Sequence, residues 1–189
     1  MASRDLVNNI GMVQLLAPGN AAASPLTNFT SSILDTSGFE SAVVAVNVGT
    51  LTGVTGSAYL TFTLQESSGT VGAGFTAVAS TQLFMGVAST GSDFGDQTRP
   101  ATTATSGYPN SWLPAPVATQ PNLYTGLLPI NSSTQANTTY RIGYIGSQRY
   151  IRLLGTFTGV PTTVNLDVVG ILGHPQFAPV TSPAPITAS

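Results

Sequence analysis

The single histidine is the first place to look for chemistry in this chain. His174 lies in the tripeptide Gly173-His174-Pro175, at the end of a predicted strand. A Ser-His-Asp triad could be built only around it, because such a triad needs an imidazole to take the proton of the nucleophile. No nucleophile motif accompanies it at a recognisable spacing. The pattern favours a capped strand end or a subunit contact, and we predict no catalytic residue and no enzyme.

The carboxylates offer little more. Asp93 and Asp96 lie three positions apart in a Gly/Ser-rich stretch and could contribute to a calcium site, but no Glu follows at the spacing of an EF-hand. Glu40 and Glu66 are the only glutamates, and both fall at predicted strand ends, where capping or pairing with Arg is the simpler role. The chain has no Cys, which removes thiolate metal sites and disulfides. We therefore predict no metal and no cofactor.

The scarcity of charge is the most informative feature of the composition. The chain has five Lys plus Arg, all of them Arg, against seven acidic residues, and only 6% of its residues are charged. Soluble domains usually carry about a quarter charged residues, and a surface poor in charge tends to associate. Nucleic-acid binding needs several cations to neutralise phosphates, so it is disfavoured. No stretch approaches the about 20 apolar residues of a membrane span. This composition favours a component of an assembly.

Alternating apolar residues and turn signals predict an all-β chain. Tyr59 to Glu66 places Leu60, Phe62 and Leu64 on one side and polar residues on the other, the pattern of a half-buried strand. Gly38 to Gly49 is apolar on both sides and reads as a central, doubly covered strand. Further strands are predicted in Phe75 to Phe84 and in Thr162 to Pro175. Six to eight strands of this kind suit an antiparallel β-sandwich, jelly-roll-like, in a single domain spanning 1–189.

One local hairpin is also predicted. Tyr140 to Ile145 alternates, Gly146-Ser147 fits a two-residue turn with Gly first, and Gln148 to Phe157 returns. We expect these two runs to be neighbours in one sheet.

Three segments are predicted to lie outside the strands of the sandwich. They are an extended N-terminal arm (1–37), a long loop insertion (88–137) and a Pro-rich C-terminal tail (176–189). A loop this long is usually functional or disordered, since most loops in compact domains have about 4 to 6 residues. The insertion is also rich in residues that could pack on a partner, and the candidate partner-contact residues are Arg99, Tyr108, Trp112 and Tyr124.

The order of motifs resembles that of capsid decoration or cement proteins of tailed bacteriophages. The resemblance rests on DLVNNIGMVQLLAP, GFESAVVAVNVG, YLTFTLQESSGTVGAGFTAV, and YRIGYIGSQRYIRLLGTFTG followed by VVGILGHPQFAPV, which together cover a little over half of the chain. It implies a β-sandwich on the outer surface of an icosahedral shell, clamping adjoining subunits of the major capsid protein, often as a homotrimer. The absence of Lys excludes Lys-Asn cross-links, so any such attachment is non-covalent.

Two other functions fit the same residues. A domain associated with the tail or baseplate of a phage would have the same composition and strand pattern. A carbohydrate-binding module for host attachment could use Tyr108, Trp112 and Tyr124 as a stacking platform, because sugar sites combine aromatic and polar side chains.

Overall fold

A computed structural model of the chain describes residues 9–21, 28–70, 74–79, 82–87, 127–176 and 186. This part of the chain contains eleven strands and one short 3-10 helix, Ser133–Gln135. The strands are β1 (Ile10–Asn20), β2 (Phe29–Thr30), β3 (Leu34–Asp35), β4 (Phe39–Thr52), β5 (Tyr59–Ser67), β6 (Thr76–Ala77), β7 (Leu83–Val87), β8 (Leu127–Ile130), β9 (Thr138–Tyr144), β10 (Tyr150–Thr158) and β11 (Thr163–Pro175). The prediction of an all-β chain is confirmed.

The strands form two antiparallel sheets. Sheet A has the order β1-β11-β4-β9-β7. Sheet B has the order β2-β10-β5-β6, with β3 also pairing with β10 and β8 with β5. Most neighbours in these sheets are distant in sequence, so the sheets are held by long-range pairing rather than by local hairpins.

Side chains from both sheets meet in one hydrophobic core. In β5, Leu60, Phe62 and Leu64 are buried as their alternation predicts, and in β11 Val164, Leu166 and Val168 are buried in the same way. These residues belong to a single cluster with Val44 and Val46 of β4 and with Leu153 of β10. The arrangement is that of a β-sandwich, in which each sheet turns one side to the core and the other outward.

The central position predicted for β4 is confirmed. This strand pairs with β11 on one side over almost its whole length, and with β9 on the other side from Ala42 to Val48. Valine and alanine dominate it, and β-branched side chains suit a pleated, buried surface. The predicted covering on both sides is wrong for the described residues: the inward side chains Val44, Val46 and Val48 are buried, whereas on the other side only Ala45 is buried and Val43 and Asn47 are half-buried.

The hairpin predicted around Gly146-Ser147 is wrong. Its first half is β9 in sheet A and its second half is β10 in sheet B, so the connection crosses from one sheet to the other. Tyr144 explains the crossing, because its hydroxyl donates to Glu66 Oε2 of β5 at 2.5 Å and accepts from the amide of Gln148 at 2.9 Å. A Cβ at Gly146 would collide with the Tyr144 ring, so glycine lets the connection pass close over it.

The structure also changes the boundaries of the expected arm, insertion and tail. Residues 10–20 of the expected arm are the edge strand β1, paired with β11. The last part of the expected insertion contains β8 and the 3-10 helix, where Ser132 and Gln135 form a capping box. Ile186 of the tail exchanges backbone hydrogen bonds with Ile33. Sequence reasoning missed these elements because each one is stabilised by a partner that lies far away in the chain or by a cap.

Candidate interaction faces

The outer surfaces of the two sheets are the most extensive functional candidates. Face A is the outer side of sheet A, formed by Met12, Gln14, Val43, Ala45, Asn47, Thr139, Arg141, Asp167, Val169 and Ile171. Face B is the outer side of sheet B, formed by Thr30, Tyr59, Thr61, Thr63, Gln65, Tyr150, Arg152, Leu154, Thr156 and Thr158. Because side chains of a strand alternate, both faces follow from the core positions and the strand register.

The centre of face A is aliphatic. Met12, Ile171 and Val43 lie side by side on three neighbouring strands, and Val169 and Ala45 form the next row. Val43, Val169 and Ile171 are half-buried, and Met12 is 59% exposed. The outer side of an antiparallel sheet usually carries polar residues, so this aliphatic centre is unusual for a surface that only meets water.

A polar row crosses face A beside this centre. Asp167 of β11 accepts hydrogen bonds from Gln14 Nε2 of β1 and, at 3.0 Å, from Asn47 Nδ2 of β4. Asn47 Oδ1 accepts in turn from the hydroxyl of Thr139 in β9 at 2.9 Å. Four adjacent strands are thereby joined through their side chains, and the Asp167 carboxylate is held in place by two neutral amides. Arg141 lies exposed on β9, opposite Ala45.

Face B has a different chemistry, since half of it is threonine. Thr61 and Thr156 lie directly opposite each other, as do Tyr59 and Thr158. The Thr61 hydroxyl donates to the backbone oxygen of Thr156 at 3.2 Å. Threonine presents a methyl and a hydroxyl group on a stiff side chain, so such a face is neutral and can contact both polar and apolar surfaces.

Arginines occupy one end of face B. Arg152 Nε donates to Gln65 Oε1 at 2.9 Å, and its guanidinium lies 4.1 Å from the centre of the Phe75 ring. Next to face B, Arg149 forms a two-point ion pair with Asp35, with Nε to Oδ1 at 2.9 Å and Nη2 to Oδ2 at 2.7 Å. Partial burial acts to raise the pKa of Asp35, but the hydrogen bonds from Arg149 and Ser37 outweigh it, so this pKa lies below its usual value.

The residues singled out from the sequence have different outcomes. Arg99, Tyr108, Trp112 and Tyr124 lie outside the described residues, as do Asp93 and Asp96. They stay predictions.

His174 lies at the exposed end of β11, with its Nδ1 3.1 Å from Ser41 Oγ. No carboxylate in the described ranges hydrogen-bonds to it, so the pair lacks the third member of a triad. Glu66 accepts from Tyr144, and in the part of the chain with described coordinates the only ion pair is that of Arg149 and Asp35. Pairing of Glu40 or Glu66 with a described arginine is therefore not observed.

Sequence reasoning missed the polar row of face A. A signal was present, because Asn47 and Asp167 interrupt the apolar middle parts of two strands. That they meet depends on a pairing between residues more than a hundred positions apart.

Other classes of site find no support among the described residues. These residues hold no group of three or more His, Cys, Asp or Glu side chains that could bind a metal ion. Within the same ranges, no helix has the length and hydropathy needed to cross a membrane.

Comparisons with known proteins leave the function open. No protein-family model matches the chain, and neither the curated proteins nor the solved structures contain a significant match. The resemblance to capsid decoration proteins therefore rests on the sequence motifs alone.

Proposed function

We propose that this protein is a virion structural protein that decorates and cements the icosahedral capsid of a tailed phage. It bridges adjacent subunits of the major capsid protein on the outer surface of the shell, without covalent links. One observation carries the proposal: the two outer faces of one sandwich are broad and almost free of charge, with Arg141 and Asp167 on face A and Arg152 on face B as their charged residues. A protein that works as an isolated monomer usually places many charges at such positions.

The order of the strands supports a jelly-roll fold within this proposal. If β2 and β3 are counted as one strand position, β1 pairs with β11, the second position with β10, β4 with β9, and β5 with β6. This is the pairing obtained when one long antiparallel ribbon is wrapped into two sheets. Jelly rolls recur in viral capsid proteins, in lectins and in cupins. The fold thus fits a capsid component and leaves room for the carbohydrate-binding alternative.

Face B is the surface that we assign to the shell. Its threonines can be covered without removing a charge from water, which is the costly part of burying polar surface. A contact of this kind is weak for one copy. Weak contacts sum when one protein, or an assembly of its copies, touches several shell subunits at once. The partner in this proposal is the major capsid protein, as the resemblance implies. The homotrimer, which the resemblance also implies, stays a prediction.

Electron cryo-microscopy of the particle that carries this protein tests the proposal. We expect regular density over the three-fold and quasi-three-fold positions of the shell, with a copy number that matches those positions on a quantitative gel. Density confined to the tail would replace the shell by the tail or baseplate. Absence from the particle would contradict any virion role and favour the host-attachment module, which glycan binding by the purified chain would then measure.

A binding experiment tests the assignment of face B. Shells stripped of this protein are mixed with the purified chain and sedimented. We expect Thr156→Arg to lower the retained amount at least tenfold, because it adds an uncompensated charge to the contact. Val160→Arg is the matched control, since Val160 is 78% exposed in the connection between β10 and β11 and belongs to neither face. Equal retention of both variants would contradict the assignment.

A further inference from the structure

We propose that face A is the docking site of a second copy of this chain, which packs against it face to face about a two-fold axis. This proposal goes beyond the proposed function, because it puts a two-fold dimer in the place of the homotrimer that the resemblance implies, and it rests on the proposed function only for its biological setting. It concerns the purified chain, so a failure here is distinct from a failure to bind capsids.

The chemistry of face A matches the centre and rim of a protein interface. Met12, Val43 and Ile171 form an aliphatic row across three neighbouring strands, and Gly143 continues this row on β9. The polar row of Gln14, Asp167, Asn47 and Thr139 closes the patch on one side. Interfaces commonly combine an apolar centre with a hydrogen-bonded polar rim. Because the aliphatic groups lie side by side on neighbouring strands of one sheet, the outer side of a second sheet, with the same twist, is a surface that fits them.

Charge complementarity favours a copy of the same face over another flat surface. Arg141 on β9 and Asp167 on β11 lie on either side of β4, opposite Ala45 and Asn47 respectively. We place a two-fold axis in the plane of the interface, over β4 and perpendicular to the line that joins Arg141 and Asp167. Rotation by 180° about this axis puts the second copy's Asp167 over Arg141 and its Arg141 over Asp167. Each Arg141 then faces the partner's Asp167, twice in the complex, and no two like charges meet.

The polar row prepares the carboxylate for this contact. Hydrogen bonds from Gln14 and Asn47 engage one oxygen each of Asp167 and fix its orientation on the outer side of the sheet. A fixed carboxylate loses little conformational freedom when a guanidinium binds. The hydrogen bonds of the polar row thus serve the contact between two copies as well as the stability of the sheet.

The size of face A suffices for a specific complex. The four strands that carry face A, at the usual spacing of about 4.8 Å, give a width of about 19 Å. Ser41 to Gly49 of β4, at about 3.4 Å per residue, gives a length of about 27 Å. The two copies together would bury about 1,000 Å², which is about the area that a specific interface needs.

Sedimentation velocity of the full-length chain tests the proposal through a charge exchange. We expect a concentration-dependent dimer, and a dissociation constant raised at least tenfold by Arg141→Glu or by Asp167→Arg. The double variant Arg141→Glu with Asp167→Arg restores the opposite charges across the axis and should recover most of the affinity. Val160→Glu is the off-face control. Circular dichroism and thermal unfolding establish that each variant is folded.

Each other outcome overturns the proposal. A chain that stays monomeric at all concentrations would show that face A does not bind a second copy. A trimer would contradict the two-fold dimer and support the homotrimer that the resemblance implies. A dimer that ignores all three face-A variants would use another surface. A double variant no tighter than the single ones would remove the Arg141 to Asp167 contact. Retention on stripped shells is measured separately, so that capsid binding without dimers contradicts this proposal alone.

Discussion

Face A and face B belong to the same sandwich but differ in the side chains that they expose. Face A combines an aliphatic centre with a hydrogen-bonded row that contains one carboxylate, whereas face B spreads threonines over two long strands and places an arginine at one end. The core does not impose this difference, because only inward side chains must fit it. Outward positions are free to vary, so their chemistry reports what covers them. The difference in chemistry fits the proposal that face A contacts a second copy of the chain and face B the shell.

The largest difference in the free energy of unfolding is expected between a substitution on the inner side of a sheet and one on its outer side. Phe62 is buried at 2% exposure and packs edge-on against Phe29, whereas its neighbour Thr63 belongs to face B. We expect Phe62→Ala to lower the free energy of unfolding by about 3 to 5 kcal/mol, because it leaves a cavity in the core. Thr63→Ala should cost under about 1 kcal/mol. Urea unfolding of both variants measures this, and similar losses would mean that face B is needed for folding and not only for contacts.

The next effect concerns the polar row of face A. Asp167→Leu leaves the amide groups of Gln14 and Asn47 without their acceptor. We expect a loss of about 1 to 3 kcal/mol, since the half-buried amide of Asn47 loses its acceptor, whereas the exposed Gln14 keeps its hydrogen bond to the backbone oxygen of Leu16. Thr156→Ala, also on an outer face, should cost under about 0.5 kcal/mol. Urea unfolding at a concentration too low for dimers compares the two. If both variants unfold alike, the row adds nothing to the monomer and would serve only the interface.

Local patterns in the sequence were enough for the inner sides of the strands. The alternation of Leu60, Phe62 and Leu64, and that of Val164, Leu166 and Val168, placed these side chains in the core correctly. This succeeds because burial on one side of a strand forces a period of two, which is visible within a few residues. The same rule shows which residues face outward, and so face A and face B were partly readable.

Pairing between distant segments was not readable. Gly146-Ser147 has the signals of a tight turn, yet the chain crosses there between sheets because Tyr144 reaches Glu66 on β5. Gln14 and Asp167 are 153 positions apart, and their contact depends on the pairing of the first described strand with the last. Such contacts depend on tertiary structure: the sequence shows an unusual polar residue such as Asp167 in an apolar strand, but it does not show which residue that side chain contacts.

The hydrogen bond between Tyr144 and Glu66 joins sheet A, which carries face A, to sheet B, which carries face B. We expect Tyr144→Phe to cost about 1 to 2 kcal/mol, since it removes a hydrogen bond to a charged group while keeping the ring. Burial, followed by the hydrogen bond to Glu66, raises the pKa of Tyr144. A raised pKa gives stability that is complete below the value of about 10 in the unfolded chain and is lost at higher pH.

Alkaline unfolding tests this pH dependence. The stability of the unmodified chain should fall more steeply above about pH 10 than that of Tyr144→Phe, which lacks the phenol that resists ionisation. Tyr150→Phe is the matched control on face B. Parallel alkaline curves for the unmodified chain and Tyr144→Phe would mean that the phenol does not couple the two sheets.

The smallest effect is expected at the ion pair beside face B. The pKa of Asp35 is depressed in the folded chain, so its contribution is present above the unfolded value of about 4 and is lost as the pH falls through the folded value. Arg149 is largely exposed, and solvent screens the pair, so we expect Asp35→Asn to cost under about 1 kcal/mol at neutral pH. The cost should disappear in acid, because the unmodified carboxyl is then protonated as well. Urea unfolding at neutral pH and at about pH 2 compares the two chains. A cost that persists in acid would come from the hydrogen bonds to Ser37 and the local turn. The Asp35 side chain would then stabilise the fold through the turn and not through its charge.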